Sequence, residues 1–191
     1  PVSSAGGANL NVRLVDCVGY LVPGVIGDRE DGKERMVSTP WQEEKIPFSQ
    51  AAEIGTEKVI KEHSVVGVVV TTDGSFGEIP RQNYIEAEEK TVAQLKELEK
   101  PFVVVVNSAV PQNERSRQLA QELEEKYEVP VVLTNCQRMS EAEIDDLFDK
   151  LIYQFPVCEV DFELPGYLDA LPSEHWIKKT MIESVRNWMG S

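Results

Sequence analysis

Histidine and cysteine are scarce in this sequence: 191 residues hold two histidines, His63 and His175, and three cysteines, Cys17, Cys136 and Cys158. Neither histidine stands in metal-ligand spacing, so both read as structural. The cysteines are odd in number and far apart, which argues against a disulfide framework and favours a reducing compartment. Long apolar runs are missing too, the longest being about seven residues against the roughly twenty that span a bilayer. The opening PVSSAGGANL has neither the basic start nor the apolar stretch of a secretion signal, so the sequence predicts a soluble chain. Basic residues are outnumbered, 19 Lys and Arg against 33 Asp and Glu, for a net charge of −14. That balance repels polyanions and argues against a nucleic-acid surface, while leaving a small bound nucleotide open. A usable phosphate-binding loop is also lacking. GDREDGKE at residues 27–34 fits the Gly, four residues, Gly-Lys spacing, yet Glu34 stands where a Mg²⁺-binding Ser or Thr is required. Asp28, Glu30, Asp31 and Glu34 would repel phosphate and no strand precedes them, so the stretch reads as a solvated acidic loop.

What is present is enough apolar side chain, 41% of residues, for one globular domain of ordinary size with a short appendage. Residues 12–16, 65–71, 102–106 and 130–134 are rich in β-branched side chains and mostly unalternated, as buried parallel strands are. Helix-period segments fall between them: 48–63, 82–98, 115–127 and 141–153. The last carries Ile144, Leu147, Phe148, Leu151 and Ile152 on one face, behind a Ser140/Glu143 capping box. The order predicts an α/β fold with a mostly parallel sheet and flanking helices. After Phe155 and Pro156, VCEVDFELPG alternates like a strand of another kind, and a last helix is expected over 173–188.

In an open parallel sheet, ligands bind beyond the carboxyl ends of the strands. Asp16, the Thr71-Thr72-Asp73-Gly74 run, Asn107-Ser108 and Thr134-Asn135-Cys136 all fall there. An Asp closing a buried strand, with Gly three residues on, is how nucleotide triphosphatases hold a hydrated Mg²⁺ and offer a backbone N–H to a γ-phosphate. Asp16 and Gly19 have that spacing; the plain alternative is a strand-end carboxylate capping the next loop. Asn107 is equally double, a turn residue or the first residue of a base-recognition loop. Asp73 reads as loop-capping, since nothing near it supplies a nucleophile and base.

The runs VRLVDCVGY, TPW, IPFSQAAEIGTEKVIKEHS, GVVVTTDGS, YIEAEEKTVAQLKELEKPFVVVVNS and HWIKKTMIESV resemble the stage IV sporulation protein A family, morphogenetic ATPases of the spore coat in endospore-forming Firmicutes. The resemblance runs from about Asn11 to Trp188 and implies a P-loop GTPase-like, translation-factor-related nucleotide domain, here incomplete. Residues 1–10 would be a flexible lead-in, 11–156 the carboxyl-terminal portion of the ATPase domain, and 157–191 a strand and helix leading to a middle domain. Asp16 and Gly19 would be the catalytic switch element, with Asp16 holding Mg²⁺ through water. Asn107, Ser108, Val110, Thr134, Asn135 and Cys136 would line the base side of ATP. Where GTP-binding relatives carry Asn-Lys-x-Asp, NSAV places Val110 at the guanine-reading acid; guanine donors left unpaired would cost roughly 1–3 kcal/mol, and adenine loses nothing.

The resemblance also implies partners and place. The protein would polymerise on itself as the basement layer of the coat, using ATP binding and hydrolysis. It would meet a small amphipathic-helical membrane-associated sporulation peptide and other coat proteins, in the mother-cell cytoplasm and peripherally on the outer forespore membrane. These residues alone would be inactive, because the family's phosphate loop precedes the equivalent of Val12, and the strand leading into that loop would lie between 12–16 and 65–71. A second reading makes the chain a nucleotide-free module for subunit contacts, with the acidic stretch 23–45 and its Trp41 as a contact surface.

Overall fold

The run FVVVVN lacks polar alternation, the mark of a strand covered on both faces, and it forms the middle of a three-stranded parallel sheet. The computed structural model describes residues 2–3, 9–30, 32–156, 166–168, 170–172 and 174–189. Two units make up the chain, Pro1–Phe155 and Pro156–Ser191. In the first, short antiparallel pairs come early: β1 (Val2–Ser3) with β2 (Asn9–Leu10), β3 (Arg29–Glu30) with β4 (Lys33–Glu34), and β5 (Met36–Thr39) with β6 (Gln42–Pro47). The α/β part follows as α1 (Phe48–Lys58), β7 (Gly67–Thr72), α2 (Ile85–Glu97), β8 (Phe102–Asn107), α3 (Glu114–Tyr127), β9 (Val131–Thr134) and α4 (Glu141–Ile152). The second unit contributes α5 (Trp176–Met189). The strand expected in VCEVDFELPG falls on 157–165, outside the described residues.

Strand order is β7-β8-β9, with Val69 opposite Val104 and Val106 opposite Leu133. One sheet face packs Val69, Val104 and Val106 against Ile60, Val92, Leu95, Leu123 and Tyr127 from the helices. Gly67 is needed for that approach, since a Cβ there would meet Leu95 Cδ1 at 2.9 Å. On the other face Val103 and Val105 are buried and α4 packs on β8, but Val68 and Val70 of β7 stay 41% and 63% exposed. The helices stop and start on specific chemistry. α1 runs into a π-helical turn at Val59–His63, where the Lys100 ammonium takes the carbonyls of Ile60, Lys61 and Ser64. The Ser140/Glu143 capping box opens α4 as the spacing predicts.

Two expectations need correction. Residues 12–16 form no strand: Val12, Leu14 and Val15 are 42%, 81% and 44% exposed, and no ladder passes through 11–22. A strand persists only when a neighbour takes its N–H and C=O groups. Here residues 15–20 and the free edge of β7 line a common cavity of about 400 Å³ instead of pairing. The acidic stretch 27–34 is likewise not a plain loop, because β3 and β4 make a tight hairpin there, turning at Gly32 with φ +76°. It remains solvated, with both strands exposed.

Candidate nucleotide site

At the carboxyl end of the sheet the loops after β8 and β9 are laced together. Asn107 Oδ1 accepts the Cys136 N–H at 3.0 Å, Ser108 N–H donates to Thr134 O at 2.9 Å, and Asn135 Nδ2 reaches Ala109 O at 3.4 Å. Asn135 Oδ1 in turn accepts the Gln137 N–H at 3.1 Å. All six base-side candidates thus belong to one hydrogen-bonded cluster, Val110 through its N–H, which donates to Ser108 Oγ at 3.2 Å, while its side chain is 56% exposed at the loop tip. Their roles differ. Thr134 is 1% exposed and its hydroxyl donates to Glu143 Oε1 at 3.1 Å, so that side chain ties β9 to the start of α4 and only its backbone reaches the loops. The same bond, after those from the Ser140 backbone and hydroxyl, holds the Glu143 carboxyl below its ordinary range. Cys136 is a free, exposed thiol whose pKa is raised by partial desolvation, so it is no ready nucleophile.

Asp16 and Gly19 lie apart from that cluster, on the cavity beside β7. Asp16 is exposed and makes no hydrogen bond or ion pair among the described residues, so it caps no loop there. Gly19 has φ +78° and open space around it, leaving its backbone approachable. Tyr20, next in sequence, is strapped down: its hydroxyl donates to Gln94 Oε1 at 2.5 Å, and Lys90 Nζ sits 4.3 Å over its ring. Burial, then the Glu57 carboxylate, push the Tyr20 pKa up to about 12. The cavity floor also holds the Thr56 hydroxyl, 2% exposed and without a partner. Among the described residues no group of three or more His, Cys, Asp or Glu could cage a metal. One exposed carboxylate fits Mg²⁺ in its usual nucleotide-bound form, keeping its waters and drawing its other ligands from phosphate.

Other polar groups in the region carry no sequence motif. Asp73, Ser75 and Ser116 gather beneath the 107–110 loop. Behind β7, Arg81 Nη2 lies 2.7 Å from Glu88 Oε2, Arg81 Nη1 donates to Thr71 Oγ1 at 3.2 Å, and Tyr127 donates to Glu88 Oε1 at 2.7 Å. The sequence does place Thr71 and Asp73 at a strand end, with Asp73 as a loop cap, and Ser75 two residues on has the spacing of an Asx turn; Arg81, Glu88 and Ser116 carry no such signal.

Comparison with known proteins bears on the same region. The family described as stage IV sporulation protein A, ATPase domain, matches residues 2–156. The stage IV sporulation protein A of Bacillus subtilis (strain 168) is 46% identical over 185 residues, covering 97% of this chain and 38% of its own length. That of Clostridioides difficile (strain 630) is 48% identical over 178 residues, covering 93% and 36%. This chain therefore spans well under half the length of the curated relatives it matches. No solved structure matches it.

Proposed function

The chain belongs to the stage IV sporulation protein A family, within its ATPase domain, and from that premise we propose that it is the base-side and Mg²⁺-side portion of an ATP-hydrolysing unit that drives assembly of the spore coat's basement layer. The observation that carries this reading is the Asn107 carboxamide accepting the Cys136 N–H, which locks the loops of two adjacent parallel strands into one floor for a base. Asn107, Val110, Asn135 and Cys136 would face adenine, while Ser108 and Thr134, buried and bonded to each other, would hold the two loops in place beneath it. Val110 selects against guanine by offering no acceptor to its donors. Asp16 would hold a hydrated Mg²⁺, which supplies charge neutralisation at the phosphates, and the Gly19 N–H would meet the γ-phosphate. The grip on the phosphates would come from residues outside this sequence, and a strand leading to them would fill the cavity at the β7 edge.

In the same reading the protein polymerises on itself, meets a small amphipathic-helical membrane peptide and other coat proteins, and lies peripherally on the forespore's outer membrane in the mother-cell cytoplasm. That part rests on the resemblance read from the sequence. No described helix is long and apolar enough to cross a membrane.

The test is binding of labelled ATP and release of phosphate by the full-length protein with Mg²⁺. Saturable binding and turnover are expected, and Asp16→Ala is expected to abolish turnover while leaving the melting temperature near the parent's, because the exposed carboxylate has no packing partner. Full turnover in Asp16→Ala removes that residue from the site. Absence of ATP binding by the parent leaves the nucleotide-free contact module as the better reading.

A further inference from the structure

We propose that Asp73 is the residue that sets the shape of the 107–110 loop and so acts as a positioning residue for the base of the bound nucleotide; this rests on the nucleotide reading of that loop. Asp73 directly follows β7, on the strand next to the one that carries the loop. Its Oδ1 accepts the Ser75 N–H at 2.9 Å and also the Ser75 hydroxyl. Its Oδ2 accepts the Ser116 hydroxyl, from the first turn of α3, at 2.7 Å. Beyond these contacts the bonds run on into the loop. Ser75 Oγ accepts the Ala109 N–H at 2.8 Å, Ser116 Oγ accepts the Ser108 hydroxyl at 3.4 Å, and Ser108 Oγ accepts the Val110 N–H at 3.2 Å.

The backbone N–H groups can only donate, and the carboxylate fixes the direction of the hydroxyl bonds between them. A serine hydroxyl has a single proton. Because Ser75 and Ser116 each give theirs to Asp73, each is left with lone pairs facing the loop. Ser75 Oγ is then free to receive Ala109 N–H, and the Ser108 hydroxyl, which lies against both Ser116 Oγ and the Asp73 carboxylate itself, points its single proton at that pair and turns its lone pairs towards Val110 N–H. Only an ionised carboxylate, acceptor at both oxygens, organises both branches at once. Ser108 and Ser116 are 0% and 3% exposed, so water does not substitute for the missing partner. A purely local turn cap would need the Ser75 N–H alone; Ser116 lies 43 residues from Asp73 and Ala109 lies 34 from Ser75, and these two branches tie the cap to the loop.

The experiment compares Asp73→Asn, Ser75→Ala and Ser75→Thr in the full-length protein. It measures steady-state ATP hydrolysis and amide hydrogen exchange at Ala109 and Val110 without nucleotide. Asp73→Asn keeps the shape of the side chain but turns one acceptor into a donor. It is expected to raise KM for ATP about tenfold while kcat stays within about twofold, the split expected for lost base placement rather than lost chemistry. Ser75→Ala is expected to raise KM by about threefold and to quicken exchange at Ala109, and Ser75→Thr, which keeps the hydroxyl, restores both. If Asp73→Asn does not fold, the Ser75 pair decides. Unchanged KM with unchanged exchange overturns the role, as does a fall in kcat at constant KM. A parent that binds no ATP overturns the nucleotide reading and this role together, whereas a parent and an Asp73→Asn variant that bind ATP equally tightly overturn this role alone.

Discussion

Glu88 is a carboxylate inside the core, its side chain 2% exposed, and it is tolerated because Arg81 and Tyr127 both reach it. A buried ion pair adds little net stability, but removing one partner strands the other charge, at a cost of about 3 kcal/mol or more. Arg81→Ala is therefore expected to lower unfolding free energy by about 3 kcal/mol, and Tyr127→Phe by about 1 kcal/mol, in chemical denaturation. An Arg81→Ala variant as stable as the parent would mean that Glu88 finds water. Tyr20 gives a signed pH dependence. Its folded-state pKa, pushed up to about 12 chiefly by burial, lies above the ordinary phenol value of 10.0. The hydroxyl's contribution is thus whole below pH 10 and declines as pH rises towards 12, where the unfolded chain gives up the proton first. Tyr20→Phe is expected to flatten that part of the stability-versus-pH curve relative to the parent; parallel curves would show that the hydroxyl is equally shielded in both states.

Elements differ in how openly the sequence declares them. β8 and β9 are legible because an unalternated β-branched run has one stable use, as a strand covered on both faces. α4 is legible from its cap, although its apolar face is covered only in part, with Leu151 buried and Ile144 40% exposed. The base-side loops follow directly, since strand ends say where polar groups collect. Residues 12–16 mislead for the complementary reason: their pattern records a strand's side-chain needs, while pairing depends on a neighbour that these residues do not find. Glu88 was hidden differently. EAEEK reads as a solvated acidic face, and only the fold brings Tyr127, 39 residues on, against it. The loop after β8 supports a prediction on its own scale. Val110→Asp, at an exposed tip, restores the acid that would accept guanine's donors, and is expected to move the preference of the full-length protein from ATP towards GTP by about tenfold in competition. No shift would place the base elsewhere than against this loop.

At the scale of the whole molecule the sheet is unbalanced: among the described residues β8 is paired on both sides, β7 on one. Gly67 N–H donates to Pro101 O and Asp73 N–H to Asn107 O, so odd-numbered residues of β7 point their backbone groups at β8. Val68 and Val70, between them, turn theirs to the free edge, and the same two residues carry the exposed side chains of β7. An apolar edge with open N–H groups invites pairing. Since the relatives are far longer than this chain, the proposed function supplies the partner from the rest of the protein, as a strand seated in the cavity between β7 and residues 15–20. Hydrogen exchange reads this residue by residue, with a control built into the strand. In the 191-residue chain, Val69 amide exchange is expected to be slow, because that N–H faces β8, while Val68 and Val70 exchange fast. In the full-length protein all three are expected to be slow. Fast exchange at Val68 and Val70 in the longer chain, with Val69 still protected, would leave the β7 edge open in the complete protein and would remove the proposed route by which a phosphate-gripping segment reaches Asp16 and Gly19.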